Sequence, residues 1–399
     1  GSEDPVSERI KLAVVVAVFA AAWFLPADRL PDQGPRLLMA GVEALAMLHE
    51  YAREHVLLCL VPALFIAGGI SVFVRQGAVM RYLGPSASPW VAYPVASVSG
   101  GILAVCSCTV LPLFAGIHTR GAGLGPASTF LYAGPAINVL AIILTARVLG
   151  MELGVVRALA AVLFSIAIGL GMHLIFRRSE SARARSASAM PDPGPPARAL
   201  WQDGLFFGSM VAFLVFANWG RPPEGASGFF SAVHGVKWWL AGASALMLAF
   251  AVRRWFARDE LVEWVASTRT FALQILPLLF GGVLAAGFLL GRPGHEALIP
   301  SSIVASLVGG NGLVANAFAS VAGALMYFAT LTEVPILQGL LGSGMGQGPA
   351  LALLLAGPAL SLPSILVLRG VMGMRRTLAF VGLVVVLSTV AGILYGALA

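Results

Sequence analysis

Charge is scarce in this sequence. Only 11% of its 399 residues are Asp, Glu, Lys or Arg, whereas 58% are hydrophobic and the mean hydropathy is +0.89. Soluble domains carry roughly 25% charged residues, so a chain of this size with so little charge cannot cover a water-exposed surface. The composition therefore excludes a soluble enzyme or binding domain and predicts a polytopic membrane protein.

Cysteine and the motifs of soluble enzymes are equally rare. The three cysteines, Cys59, Cys106 and Cys108, all lie in apolar sequence, which argues against a disulfide-linked domain. The sequence contains no Walker loop, nucleophile elbow or His-Glu-x-x-His motif, so we expect neither an enzyme nor a cofactor. The net charge of +7 comes from basic residues in short loops, where they orient membrane helices. We therefore expect a small-molecule substrate and the lipid bilayer as partners, no nucleic acid, and leave a homo-oligomer open.

Long apolar stretches predict the membrane helices. Three of them carry no charge and are each long enough to cross ~30 Å of hydrocarbon: residues 121–146, 270–291 and 377–399. Further spans are expected near residues 11–26, 56–74, 155–176, 204–219 and 236–252. The pattern predicts an all-α fold with about 9–10 transmembrane helices.

An internal repeat divides the chain. Residues 125–151 match residues 348–374 at an offset of 223, with 12 of 27 positions identical, including the elements G-P-A, A-G-P-A and G-M. Upstream, V-A-S-V-S-G-G at 95–101 resembles V-A-S-L-V-G-G at 304–310, at a different offset. A polar segment rich in Arg, Ser and Pro separates the copies and predicts a flexible cytoplasmic linker. The predicted organisation is a first membrane repeat at 6–176, the linker at 177–200 and a second membrane repeat at 201–399.

Charge bias predicts how the two copies are oriented. Basic clusters favour the cytoplasmic side, and placing both the linker arginines and the pair Arg375 and Arg376 there makes the two copies run in opposite directions. Such an inverted-topology repeat is typical of secondary transporters. It requires the glycine-containing segments 89–119 and 300–346 to be re-entrant helical hairpins, entering and leaving on one side.

The sequence Cys106-Ser107-Cys108 is the first candidate for chemistry. In an unwound segment, residues i and i+2 face the same way, so two thiolates can hold one soft metal or metalloid atom; on a regular helix they diverge by ~200°. Cys59, one helical turn before Pro62, is a candidate third soft ligand. The alternative is that these small residues only fill a tight contact between helices.

Glu333 is the second candidate. It is the single charge in residues 297–368, and a charge within the membrane costs roughly 2.5–3.5 kcal/mol even on insertion scales. In the repeat register, Thr330 and Thr332 lie near the counterpart of the cysteine pair. We expect Glu333 to face protein or a cavity and to carry a coupling proton; the alternatives are a position near the extracellular interface or a neutral acid satisfied by a hydrogen bond.

The duplicated A-G-P-A element is the third candidate. Its proline removes a backbone donor, its glycine allows close approach, and a polar residue follows three positions later. Broken helices related by a pseudo-twofold axis hold substrate in many transporters, although Gly and Pro are also common in ordinary membrane helices. The residues predicted to frame a substrate in this way are Gly134, Pro135, Asn138, Gly357, Pro358 and Ser361.

Between residues 106 and 138 the sequence resembles the predicted permease family that includes the trivalent organoarsenical efflux permeases. The shared elements are C-S-C at 106–108, P-L at 112–113, R-G-A at 120–122 and A-G-P-A-I-N at 133–138. The resemblance implies a multi-pass permease of the bacterial inner membrane, and arsenical efflux for some members.

The sequence therefore favours a secondary transporter that exports a small soft-electrophile solute. Trivalent organoarsenicals are the leading cargo, with Cys106 and Cys108 as the residues that would bind arsenic. The alternatives are a permease for a metal ion, sulfur compound or organic anion, a non-transporting membrane scaffold subunit, and an intramembrane redox enzyme. Polar groups at repeated breaks disfavour the scaffold, and the lack of a second redox motif disfavours the enzyme.

Overall fold

The structure is a computed structural model of the chain. It describes residues 5–26, 30–31, 34–74, 83–84, 87–103, 107–188, 198–219, 229–292, 295, 297–299, 307–326, 333–342 and 344–398. This part of the chain folds almost entirely into helices and contains no β-strand, which confirms the predicted all-α class.

The helices follow one another with short connections. In the first half they are α1 (Pro5–Trp23), α2 (Arg36–Tyr51), a π-helical stretch (Ala52–Leu60), α3 (Val61–Phe73), α4 (Pro89–Leu103), α5 (Ser107–Thr119), α6 (Leu124–Ala136), α7 (Val139–Val148) and α8 (Met151–Ser188). In the second half they are α9 (Leu200–Ala217), α10 (Phe229–Trp255), α11 (Arg258–Leu290), α12 (Leu313–Leu325), α13 (Glu333–Gly342), α14 (Gln347–Ala356), α15 (Leu362–Met372) and α16 (Met374–Gly396).

Several helices are long and apolar enough to cross a bilayer, which makes this a multi-pass membrane protein. Within the described ranges there are five such stretches, and the bent pair of α6 and α7, which meet at 46°, would make a sixth. The five are Arg36–Phe73, Met151–Glu180, Ser231–Trp255, Arg258–Leu289 and Met374–Gly396. Other apolar sequence in the described ranges forms helices of 10–17 residues, shorter than the ~20 residues that a span needs. The predicted total of 9–10 spans for the whole chain stays a prediction.

The two predicted hairpins each contain a pair of short helices. Helices α4 and α5 lie within residues 89–119, and α12 and α13 lie within residues 300–346. None exceeds 15 residues, or ~22 Å at 1.5 Å per residue, so none crosses the hydrocarbon alone. This length agrees with re-entrant segments, but the side on which each enters and leaves stays a prediction.

The first long helix is continuous but locally widened. Helices α2 and α3 are joined through the π-helical stretch, and Pro62 is the second residue of α3. A proline cannot donate to the carbonyl four residues earlier, which here is Leu58. The side-chain amide of Asn218 donates to that carbonyl over 2.7 Å. Helix α9 therefore supplies the hydrogen bond that Pro62 cannot, as a membrane helix requires.

The repeat seen in the sequence recurs in the backbone. In the first half α6 packs between α4 and α8, and in the second half α14 packs between α12 and α16. The turns preceding α6 and α14 correspond residue by residue: Gly121 and Gly344, at an offset of 223, have φ of 97° and 99°. Such φ values favour glycine, which explains why both copies keep it.

The upstream register of the repeat differs from the predicted one. A Cβ on Gly100 would lie 2.7 Å from the carbonyl oxygen of Phe130, and one on Gly323 would lie 3.1 Å from that of Leu353. Both pairs are related by the same offset of 223, so A-S-V-S-G at 96–100 corresponds to A-S-V-A-G at 319–323. The sequence-based pairing of 95–101 with 304–310 was therefore wrong, because it matched similar letters rather than equivalent contacts between helices.

The predicted flexible linker is helical over its first half. Helix α8 continues to Ser188, and Glu180 within it is buried, accepting a hydrogen bond from the backbone N–H of Leu124 over 2.7 Å. This contact caps the N-terminus of α6 and holds the extension in place. Residues 189–197 lie outside the described ranges, and the predicted boundaries of the two membrane repeats stay predictions.

Candidate functional site

An ion pair lies buried where the two halves meet. The Nη2 of Arg157, on α8, donates to the Oε1 of Glu333, the first residue of α13. Both side chains have no exposed surface. Arginine and glutamate are almost never fully buried unless paired, so each charge depends on the other.

Thr145 completes the cluster. The Nη1 of Arg157 donates to the Thr145 hydroxyl over 2.6 Å, and that hydroxyl donates to the carbonyl of Ala141 over 2.8 Å. The three side chains connect α7, α8 and α13. The first half of the chain contributes the arginine and the threonine, and the second half contributes the carboxylate. We refer to Thr145, Arg157 and Glu333 as the charged triad.

Two polar atoms of the charged triad remain unpartnered. The Nε of Arg157 and the Oε2 of Glu333 are buried and have no hydrogen-bond partner among the described residues. An unpaired buried polar atom costs about 1–3 kcal/mol, and more when it is charged. Within the described part of the chain the cluster is therefore only partly satisfied, as a buried group with a functional role or an ordered water partner can be.

The three positions that the repeat relates to the charged triad are apolar. An offset of 223 relates Thr145, Arg157 and Glu333 to Leu368, Phe380 and Val110 respectively. These three residues are at most 1% exposed and belong to the hydrophobic core. The fold is thus compatible with an apolar trio here. Because a buried ion pair often stabilises a protein no more than apolar residues of similar size, stability alone does not explain the charged triad.

The helix breaks near the two A-G-P-A elements differ from the prediction in the first copy. Helix α6 continues through Gly134 and Pro135, which are buried within it, and ends at Ala136. A proline lacks only its own N–H, and the donors on either side keep the helix intact until Ile137 N–H donates to Ala133 over 2.9 Å. In the second copy α14 ends at Ala356, so Gly357 and Pro358 do lie in the break, where they are buried.

The polar residues after these elements begin the next helices. The Oδ1 of Asn138 accepts from Ala141 N–H over 3.2 Å, and the Oγ of Ser361 accepts from Ser364 N–H over 3.3 Å. Both are N-cap interactions, at equivalent positions in α7 and α15. The structure therefore gives Asn138 and Ser361 a structural role, and their predicted contact with substrate stays a prediction.

The described part of α5 begins at Ser107, within the C-S-C sequence. Cys106, and the side chains of Ser107 and Cys108, lie outside the described part of the structure, as do Thr330 and Thr332. Cys59 is 3% exposed in the π-helical stretch. Among the described residues, no three His, Cys, Asp or Glu side chains come close enough to hold a metal ion.

The structure thus combines one predicted residue with two that the sequence analysis missed. Glu333 is buried as predicted, but Arg157 and Thr145 were not singled out, because an arginine near the start of a predicted span usually extends to the interface. A signal was available: Arg157 is the single Lys, Arg, Asp or Glu between Glu152 and Arg177. A lone acid and a lone base within apolar sequence are natural partners.

Comparison with known proteins places these features in a family. A family model described as a predicted permease, ArsP_1, matches residues 42–397, which includes both halves of the repeat and the charged triad. The chain belongs to this family of predicted permeases. It is 42% identical over 358 residues to the UPF0718 protein MJ0584 of Methanocaldococcus jannaschii, a match that covers 87% of this chain and 93% of the relative.

A more distant relative shares part of its length. The UPF0718 protein YraQ of Escherichia coli K12 is 24% identical over 265 residues, which cover 66% of this chain and 56% of YraQ. No solved structure matches the chain. Family membership confirms the resemblance seen around the C-S-C and A-G-P-A elements and makes the chain a membrane permease. Since relatives occur in both an archaeon and a bacterium, membership does not select one type of cell envelope.

Proposed function

We propose that this permease is a proton-coupled secondary transporter of the bacterial inner membrane, and that it exports small soft electrophiles, with trivalent organoarsenicals as the leading cargo. The observation that carries the proposal is the buried pair of Arg157 and Glu333, which connects the first half of the chain to the second. In transporters built from two repeats, alternating access comes from movement of one repeat against the other. An ion pair between the halves is therefore placed to control that movement.

Glu333 is the group that would carry the proton. A carboxylate paired with an arginine holds the two halves together, and taking up a proton removes that attraction. Glu333 also begins α13, where the helix dipole favours its ionised form, by typically 0.3–1 kcal/mol. Protonation would thus weaken two interactions at once and favour separation of α13 from α8.

Cys106 and Cys108 would hold the cargo. A trivalent arsenical with one organic substituent has two exchangeable positions, which two thiolates can fill, and soft metalloids prefer thiolate ligands. The described part of α5 starts at Ser107, so the proposal places the two thiols next to this helix.

Replacement of the carboxylate tests the proposal. We expect Glu333→Gln to abolish transport driven by a pH gradient in inside-out vesicles, because glutamine cannot exchange a proton, while expression is retained. Uptake of methylarsenite into the vesicles is the measurement. Glu152→Gln, which changes an exposed carboxylate at the start of α8, is the matched control and should transport like the wild type. Normal pH-driven uptake by Glu333→Gln would refute proton coupling at this residue.

A further inference from the structure

The charged triad constrains what else must bind when Glu333 takes up a proton. An arginine side chain stays protonated at all physiological pH values. Protonation of Glu333 alone would therefore leave Arg157 as a fully buried cation whose described side-chain partner is the neutral hydroxyl of Thr145. An uncompensated buried charge is strongly unfavourable. A proton can enter this site readily only if a negative charge enters with it.

The titratable groups around the triad do not supply that charge. Those with described side chains on the helices packed against α8 and α13 are Tyr93, Tyr132, Arg147, Glu152, His173, Arg177, Arg178, Glu180, Arg375, Arg376 and Tyr395. Of these, buried Tyr132 interacts electrostatically with Arg157, but a tyrosine is neutral at pH 7. Glu152 is exposed, and Glu180 already caps α6 at the far end of α8.

We infer that Arg157 is an anion-binding residue: when Glu333 takes up a proton, a carboxylate or a singly charged oxyanion of similar size replaces Glu333 as its partner. The site already accommodates a carboxylate, that of Glu333, and the buried Nε of Arg157 has no partner among the described residues. A planar guanidinium, with an Nε donor that no described residue accepts from, suits this shape. The inference rests on the proposed proton exchange at Glu333 and adds that one anionic group binds for each proton.

The apolar residues at the three equivalent positions, Leu368, Phe380 and Val110, provide a control variant. The triple substitution Thr145→Leu, Arg157→Phe and Glu333→Val gives the first site the residues that its counterpart already packs in the core. We expect this variant to fold, because the same side chains fit the equivalent helices, and to have lost its anion site. It reports the non-specific effect of any added salt on the detergent-solubilised protein.

Thermal unfolding of the purified full-length chain with sodium acetate, at constant ionic strength, tests the inference. Glu333→Gln resembles the protonated acid, so acetate should raise its Tm by several degrees at saturation, on the order expected for a bound ligand. The wild type at neutral pH should respond less, because Glu333 competes for Arg157, and the triple variant should not respond. A Tm of Glu333→Gln that rises no more with acetate than that of the triple variant would overturn the inference.

A second measurement keeps the test decisive if Glu333→Gln does not fold. The wild type should then respond to acetate more strongly at about pH 5.5 than at about pH 7.5, since uptake of a proton by Glu333 frees Arg157, and an equal response at both pH values would overturn the inference. Comparing phenylarsine oxide with its 4-carboxy derivative separates two sources of the anion. Stronger stabilisation by the carboxylated compound assigns the anionic group to the cargo, and equal stabilisation assigns it to a separate anion.

Binding and transport can fail independently. Loss of the acetate response with intact pH-driven arsenical transport would overturn the anion site alone. An intact acetate response without arsenical transport would overturn the cargo alone.

Discussion

At the scale of single residues, replacing a thiol with a hydroxyl distinguishes a cysteine that binds cargo from one that only packs. Serine is nearly isosteric with cysteine, but its hydroxyl is a hard ligand that stays protonated at neutral pH. We expect Cys106→Ser and Cys108→Ser each to lose resistance to methylarsenite at unchanged expression, because one remaining thiol cannot hold both exchangeable positions of the arsenic. Measuring efflux from cells that lack other arsenical exporters checks this. Retained efflux in both variants would leave packing as the role of the pair.

Single residues also show which members of the charged triad an apolar sequence allows one to predict. Glu333 could be predicted because a lone charge in 72 residues, from 297 to 368, is expensive in a membrane whatever the fold. Arg157 could not be assigned as its partner, since the two are 176 positions apart and only the folded helices bring them together. Thr145 gave no signal at all, because a threonine hydroxyl in a membrane helix usually bonds to its own backbone, and only the arginine makes it part of a site.

At the scale of helices, the sequence predicted the internal repeat but not where the helices end. The offset of 223 could be found because Gly and Pro recur where a turn or a close approach requires them, as at Gly121 and Gly344. Helix ends are usually read from the change between apolar and polar residues, and here both helices and breaks are apolar. The break near Pro135 was therefore placed too early, by sequence pattern alone.

The widened first helix gives a prediction at the same scale. Asn218→Leu removes the donor that satisfies the carbonyl of Leu58, and we expect a loss of about 1–3 kcal/mol in unfolding free energy for the unpaired group. Thermal unfolding in detergent measures it as a lower Tm.

A second substitution, at Pro62, should partly restore the stability that Asn218→Leu removes. Pro62→Ala supplies a backbone N–H one turn from that carbonyl, so the double variant Asn218→Leu, Pro62→Ala should recover part of the loss. If Pro62→Ala has the same effect with Asn218 and with leucine at that position, the two sites are independent and this account of the helix is wrong.

At the scale of the whole molecule, contacts between the halves are reciprocal. Helix α7 packs on α13, and their counterparts α15 and α5 also pack on each other, as in an interface with twofold symmetry. A Cβ atom added to Gly171 would lie 3.0 Å from the side chain of Leu383. Leu383 corresponds to position 160, which lies ~16 Å back along the helix. The two helices therefore meet at non-equivalent positions at this point, and the inverted orientation of the copies stays a prediction.

The predicted inverted orientation can be tested with an equivalent pair of exposed residues. Met151 and Met374, at the offset of 223, begin α8 and α16 and are 69% and 46% exposed. In a background whose native cysteines are alanine, Met151→Cys should react with a membrane-impermeant thiol reagent in intact cells, because the linker end of α8 is predicted to be cytoplasmic. Met374→Cys should react only after permeabilisation. Labelling of both variants from the same side would exclude an inverted repeat.

Tyr132 contacts its own equivalent in the second copy of the repeat. Its hydroxyl donates to the carbonyl of Leu355 over 3.1 Å, and the two positions are 223 apart. A half-length ancestor of this chain would have met a second molecule of itself at that point. In such a homodimer every substitution appears twice, so a buried charge gained in one subunit is gained in both. Gene fusion removes that coupling. A charged triad at one set of positions and an apolar trio at the equivalent set is an asymmetry that only the fused chain can encode.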